Sequence, residues 1–252
     1  MSRCLGSLPV AKGRGLGFSY INSTSWPYGM MVSRAFSDQE MGLDRFLEAF
    51  LPQWSVYQEW FSEQSVASFF GLEASSRLSR IPAWAHTLPW GERTPREMMK
   101  WLPPRIRRNR RTHGNRISRW RTNSQLMLED SLTSGASHGK QFFELCESIS
   151  RNGLWNSCNQ EDPFRVWLLK DGKDWCWAGY SGNHRTGAIA ALGVSEVHAE
   201  LQGVISKSSI GDWPNVARGW FSLSEAEKVF DDLFHGRTVP ATEELLFGLR
   251  KF

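Results

Sequence analysis

The sequence predicts an α+β fold, on three observations. Apolar residues recur at helix spacing in both halves, at Leu43, Phe46, Leu47 and Phe50 and again at Phe142, Leu145, Cys146 and Ile149. Between residues 164 and 201, short β-prone runs alternate with turn signals. With 252 residues and a 40% hydrophobic fraction, the chain can bury a core without disulfide or metal staples, which excludes wholesale disorder and a coiled-coil rod.

The first 35 residues are rich in Gly, Ser and aromatics without a clean period and read as loops or irregular strands. A helix from Met41 is expected to stop at Pro52, with a second aromatic-rich helix over Trp54 to Phe70. Pro82, Pro89, Pro95, Pro103 and Pro104 should break regular structure and mark a connection between two halves. Lys100 to Arg121 then carries nine basic residues and no acidic one, leaving about −5 on the rest of a chain whose net charge is +4. With arginine on every side, this run has no apolar face to bury and belongs at the surface. The expected organisation is an aromatic-rich, mainly helical N-terminal region (1–99), a basic connector (100–122) and a second domain (123–252).

That second domain opens with a helix over Gln141 to Asn152, stopped by Gly153. Phe164 to Leu169 and Trp175 to Tyr180 read as strands joined by an Asp171-Gly172 hairpin turn. Ser181 to Gly187 reads as a glycine turn feeding a short helix over Ala188 to Leu192, and Val197 to Leu201 as a further strand. Ser224 and Glu227 are spaced as a capping box on a last helix with Ala226, Val229, Phe230 and Leu233 on one face.

No run of apolar residues is long enough to span a bilayer, and Met1 to Gly17 lacks the apolar core of a secretion signal, so a cytoplasmic location is expected. Cys4, Cys146, Cys158 and Cys176 show no C-x-x-C spacing, which argues against a zinc site and for reduced thiols. The 13 tryptophans could stack on sugars or bases, but most tryptophans fill cores.

A strand, a glycine turn and a helix opening with His184 and Arg185 make an anion cradle: free amides at a helix N-terminus favour negative charge, and a guanidinium grips phosphate oxygens in a fork. Around it stand Leu145-Cys146-Glu147-Ser148-Ile149 ending at Gly153, a strand pair, Gly182-Asn183-His184-Arg185, and Ala191-Leu192-Gly193 before a valine-bearing strand. This order and spacing, over Gln141 to about Gln202, resembles the ParB/sulfiredoxin-like superfamily. Asp212-Trp213-Pro214-Asn215-Val216-Ala217-Arg218-Gly219-Trp220, with Pro89-Trp90 upstream, is similar to a group of bacterial ParB-like proteins. Trp213, Arg218 and Trp220 would there form a pocket wall or a packed aromatic group.

The resemblance implies a small mixed sheet with helices and a nucleotide site for ATP or CTP with Mg²⁺. Gly182, Asn183, His184, Arg185 and Thr186 would grip the phosphates, and Ser148 falls where sulfiredoxins place a nucleotide-contacting threonine. Sulfiredoxins need a cysteine where this chain has Asn183, so sulfinic acid reduction is excluded. Kinases of the fold carry an aspartate where this chain has Ser181, and ParB CTPases carry Glu-Arg-Arg where it has Asn183-His184-Arg185.

Phosphoryl transfer to a small hydroxyl-bearing substrate would need a base, with Glu129 or Asp130 expected, Glu144 and Glu147 as alternatives, and His184 and Arg185 neutralising the phosphate. A non-catalytic ParB-like module binding nucleotide or nucleic acid is the alternative. Arg107, Arg108, Arg110 and Arg111 would then meet a nucleic acid backbone; the same run fits an acidic surface or a solvated linker.

Overall fold

The structure, a computed structural model, describes residues 3–15, 19–36, 42–112, 122–157, 164–180 and 183–252. It is a mixed α/β fold around one six-stranded sheet. The N-terminal segment supplies β1 (Arg3–Pro9), β2 (Gly13–Gly15) and β3 (Ser19–Tyr20), followed by α1 (Pro27–Ala35), α2 (Leu43–Glu63) and α3 (Val66–Phe69). Next come α4 (Pro95–Thr112), α5 (Asn123–Thr133), α6 (Gly135–Ser157), the β4 (Arg165–Asp171) and β5 (Asp174–Gly179) pair, α7 (Asn183–Leu192) and β6 (Glu196–Ser206). The chain closes with α8 (Pro214–Ala217), α9 (Leu223–Phe234) and α10 (Pro240–Leu249).

Strand order is β1-β6-β4-β5-β2-β3, with β4 parallel to β6, β2 parallel to β5 and the other pairs antiparallel. Only Val10–Lys12 join β1 to β2, yet β6, β4 and β5 lie between them. Crossing four strand spacings of a flat sheet takes about 19 Å, whereas the four steps from Pro9 to Gly13 reach ~14 Å at full stretch. The sheet therefore curls on itself. Two bonds tie the crossing down: Trp177 Nε1 donates to the Pro9 carbonyl at 2.9 Å, and Val10 N donates to the Ser195 carbonyl at 2.8 Å. Gly13 is required there, because a Cβ on it would stand 2.5 Å from the Trp177 indole.

Inside the curl, Leu8, Val10, Trp26, Val166, Trp177, Ile189 and Val197 form one core. A second core lies among α1, α2, α6 and α10, built on Met31, Phe46, Phe50, Phe142 and Leu246. A third covers the other sheet face, where Leu169 and Cys176 meet Phe70, Trp90, Trp213 and Phe230. The first hundred residues thus share the sheet and the cores with the rest. Residue 100 falls inside α4, and Thr122 is the N-cap of α5.

Several local expectations are corrected. The opening residues hold the short strands β1, β2 and β3, in line with the expected irregular strands, but also the helix α1, which was not expected. Helix α2 runs through Pro52: proline removes one backbone bond, but Phe46, Phe50, Trp54 and Tyr57 are buried along the helix, and that tertiary burial outweighs a local cost of about 3 kcal/mol. Helix α4 likewise starts at Pro95, capped by the Thr94–Glu97 reciprocal bonds, and continues through Pro103 and Pro104. The capping box of α9 is Ser222 with Glu225, not Ser224 with Glu227. Helix α7 begins at Asn183 rather than after Gly187, which is helical and lies under the Phe142 ring. No helix among the described residues is long and apolar enough to cross a membrane.

Candidate functional site

The β5–α7 junction is a strand end followed within three residues by a helix N-terminus. Tyr180 N still bonds the Arg165 carbonyl at 2.9 Å, which keeps β5 in register with β4 to its last residue. Ser181 and Gly182, the expected glycine turn and first member of the phosphate grip, lie outside the described residues. The first turn of α7 contains no acidic residue. Asn183 is exposed, Arg185 is half-buried and engaged within the fold, and Thr186 is buried beneath the end of β5.

His184 turns inward. Its Nε2 lies 2.7 Å from Nδ1 of His138, on the first turns of α6, and the two rings stack 5.0 Å apart at 14°. Phe142 stands 4.7 Å from His184, and Trp54 4.9 Å from His138. Burial, reinforced by the neighbouring imidazole, pushes His184 down to about 4, and burial also lowers His138. Both rings are therefore neutral at pH 7. His184 can act as a hydrogen-bond donor or a nitrogen base there, and the cationic role falls to Arg185.

The close approach that creates this pair has a local cause. Gly187 lacks a side chain where the Phe142 ring passes; a Cβ would stand 2.5 Å from Phe142 Cε1. Helices α6 and α7 can therefore bring their N-terminal turns together. Beside the pair, Tyr28 and Tyr57 share a hydrogen bond, and burial raises both hydroxyls above their usual range.

The expected carboxylates sit on the helix leading into the pair. Glu129 and Asp130 are half-buried in α5, whose Ser131 carbonyl accepts Trp54 Nε1 at 2.9 Å; the chain then turns at Ser134, whose carbonyl accepts the His138 amide. Ser148 is half-buried on α6. Glu144 and Glu147 form i,i+4 pairs with Lys140 and Arg151, an ordinary helix-surface use. Burial pushes the Cys146 and Cys176 thiols up to about 12 and 11, so neither is a thiolate nucleophile near neutral pH. Among the described residues no three His, Cys, Asp or Glu side chains converge as metal ligands.

Elsewhere, Trp213 is buried against Trp90 at 5.1 Å rather than lining a cleft, while Arg77 stacks over Trp220 at 4.4 Å. Arg107 donates to Asn123 at 3.1 Å and Arg108 is exposed. Arg110 and Arg111 belong to the last turns of α4, and their side chains lie outside the described residues.

His138 is the residue that sequence reasoning missed. It continues the apolar stripe of α6 at i−4 from Phe142, a spacing that reads as a core histidine. Comparison with protein-family models, curated proteins and solved structures found no match to this chain.

Proposed function

We propose that this chain is a ParB/sulfiredoxin-like nucleoside triphosphate-binding protein that transfers a phosphoryl group from ATP or CTP to a small hydroxyl-bearing substrate. One observation carries the reading: α7 starts directly off the end of β5 with Asn183, His184, Arg185 and Thr186 in its first turn and no carboxylate among them. Helix-start amides lack intrahelical partners, and together with a guanidinium they suit phosphate oxygens. The parallel β4–β6 pair flanking the hairpin supports the fold assignment.

In the proposed reaction, the substrate hydroxyl oxygen attacks the γ-phosphorus and the bond from phosphorus to the β–γ bridging oxygen breaks, releasing the nucleoside diphosphate. The hydroxyl proton passes to a base. The neutral His184, held by His138, is the nearest such group to the α7 N-terminus; Glu129 and Asp130 are the carboxylate candidates. The Mg²⁺ expected with such a nucleotide has no assigned protein ligand.

Thermal unfolding with ATP and with CTP tests the reading. A ligand at 100 times its dissociation constant adds about 2.7 kcal/mol to stability. The wild-type melting temperature should rise with one of these nucleotides, and Arg185→Ala should abolish the rise. No shift with any nucleotide rejects it.

A second reading is favoured by α4. Arg105 of α4 and Arg93, just before its start, stack over the Trp101 indole at 4.7 and 4.2 Å, which makes a basic surface suited to a nucleic acid backbone.

A further inference from the structure

A cavity of about 180 Å³ lies between α2, α4 and α5. Phe61 of α2, Trp84, Leu102 of α4 and Met127 and Leu128 of α5 give it an apolar wall. Its polar lining is Gln58, Ser62 and Ser131, and no charged side chain reaches it among the described residues. The bond from Trp54 Nε1 to the Ser131 carbonyl ties α2 to α5 at one end. Gln58, one turn on from Trp54, therefore falls beside Met127 and Leu128, one turn back from Ser131.

Gln58 differs from the other polar groups here. Its side chain is only 7% exposed, yet its carboxamide has no hydrogen-bond partner among the described residues. Gln53, the other buried glutamine of α2, donates its Nε2 to the Ala49 carbonyl at 2.9 Å. The Ser62 hydroxyl donates to the Glu59 carbonyl at 2.7 Å, and Trp84 Nε1 donates to the Ser124 hydroxyl at 3.2 Å. An amide taken out of water without a partner is unfavourable, so a guest that completes its bonds is favoured at this wall.

We infer that this cavity binds a neutral, single-ring compound bearing a carboxamide or cyclic amide, and that Gln58 is the residue that recognises the amide. A glutamine side chain presents an acceptor and a donor side by side, which pair with the same two groups reversed on the ligand. The ring is then left to the apolar wall. An apolar cavity of about 150 Å³ takes up benzene, so this one has room for a ring and a small polar substituent. A carboxylate is disfavoured, because no cation lines the wall to offset its desolvation.

Titration of the full chain with benzamide, benzoate and toluene, followed on the ligand by nuclear magnetic resonance, tests it. Benzamide should bind with a dissociation constant below about 1 mM, and benzoate and toluene roughly ten-fold or more weakly. Gln58→Leu keeps the side-chain volume and breaks no protein hydrogen bond. It should leave the melting temperature unchanged or higher, weaken benzamide roughly ten-fold or more and tighten toluene. Leu128→Trp, which fills the cavity, should abolish binding of both. Wild-type chain that binds benzamide no better than toluene, or unchanged benzamide affinity in Gln58→Leu, overturns the assignment. So does wild-type chain that fails to bind millimolar benzamide, which leaves Gln58 to water alone. A Gln58→Leu chain that melts well below wild type also overturns it, because the amide would then be holding the fold.

Discussion

His138 and His184, 46 residues apart in sequence, share one hydrogen bond, Nδ1 to Nε2 at 2.7 Å, across the junction of α6 and α7. A single proton occupies that bond, so the tautomer of one ring dictates that of the other. When His184 Nε2–H donates to His138, His184 Nδ1 is left as a lone-pair base. When His138 donates, His184 Nδ1 carries the proton instead. Protonating both rings would place two N–H groups and two charges against each other.

Stability should therefore fall in mild acid. His184 is lowered to about 4, below its unfolded value near 6.5, so the unfolded chain binds more protons between those limits. The contribution is complete above about pH 6.5 and is lost as pH falls toward 4, a loss on the order of 1–2 kcal/mol after allowing for partial exposure. Urea denaturation at pH 7 and pH 4.5 measures it, with His184→Gln flattening the difference.

Removing His138 should move its partner only part of the way. Burial is the first cause of the His184 shift and the neighbouring ring the second. In His138→Leu the His184 imidazole should titrate above its wild-type value but still below 6.5, as read by nuclear magnetic resonance. A wild-type His184 titrating near 6.5 would falsify the buried pair.

Gly187→Ala should destabilise by about 1–3 kcal/mol, because the added methyl meets the Phe142 ring and the helices must separate. The same variant should raise the His184 titration toward its free value, since separation wets the pair. Equal stability in chemical denaturation would show that α7 has room to spare.

Asn215→Ala removes the donor for the loop carbonyls of Leu88, Gly91 and Arg93 from a side chain with 0% exposure. The expected cost is about 2–4 kcal/mol. The Trp90 loop should loosen with it, giving a red-shifted tryptophan emission.

The α4 reading predicts sequence-independent binding to DNA that weakens steeply with salt. Replacing Arg107 and Arg108 together by alanine should reduce the slope of log affinity against log salt by about two. Equal affinity at 50 mM and 200 mM salt rejects phosphate recognition by this helix.

Much of the second half was legible because its signals are local. Asp171-Gly172 marks a two-residue turn, and the structure pairs Asp171 with Asp174 around a Gly172 of φ 57°. The opening of α7 with Asn183 to Thr186 was also locatable from sequence, although its start was read five residues late. Strands β1 and β2 were harder, since their partners lie in β6 and β5 and no neighbouring residue reveals them. Pro52, Pro103 and Pro104 misled for the same reason: a local rule was outweighed by packing from elsewhere. His138 could not be matched to His184 because spacing along one helix does not show which other helix begins beside it.

The three-residue crossing between β1 and β2 also constrains how the chain can assemble. The register pairs Arg3 with Leu201, so β1 cannot pair until β6, far along the chain, has been made. Contacts of such separation slow folding, and until they form the flanks of β5 and β6 stay open to other chains.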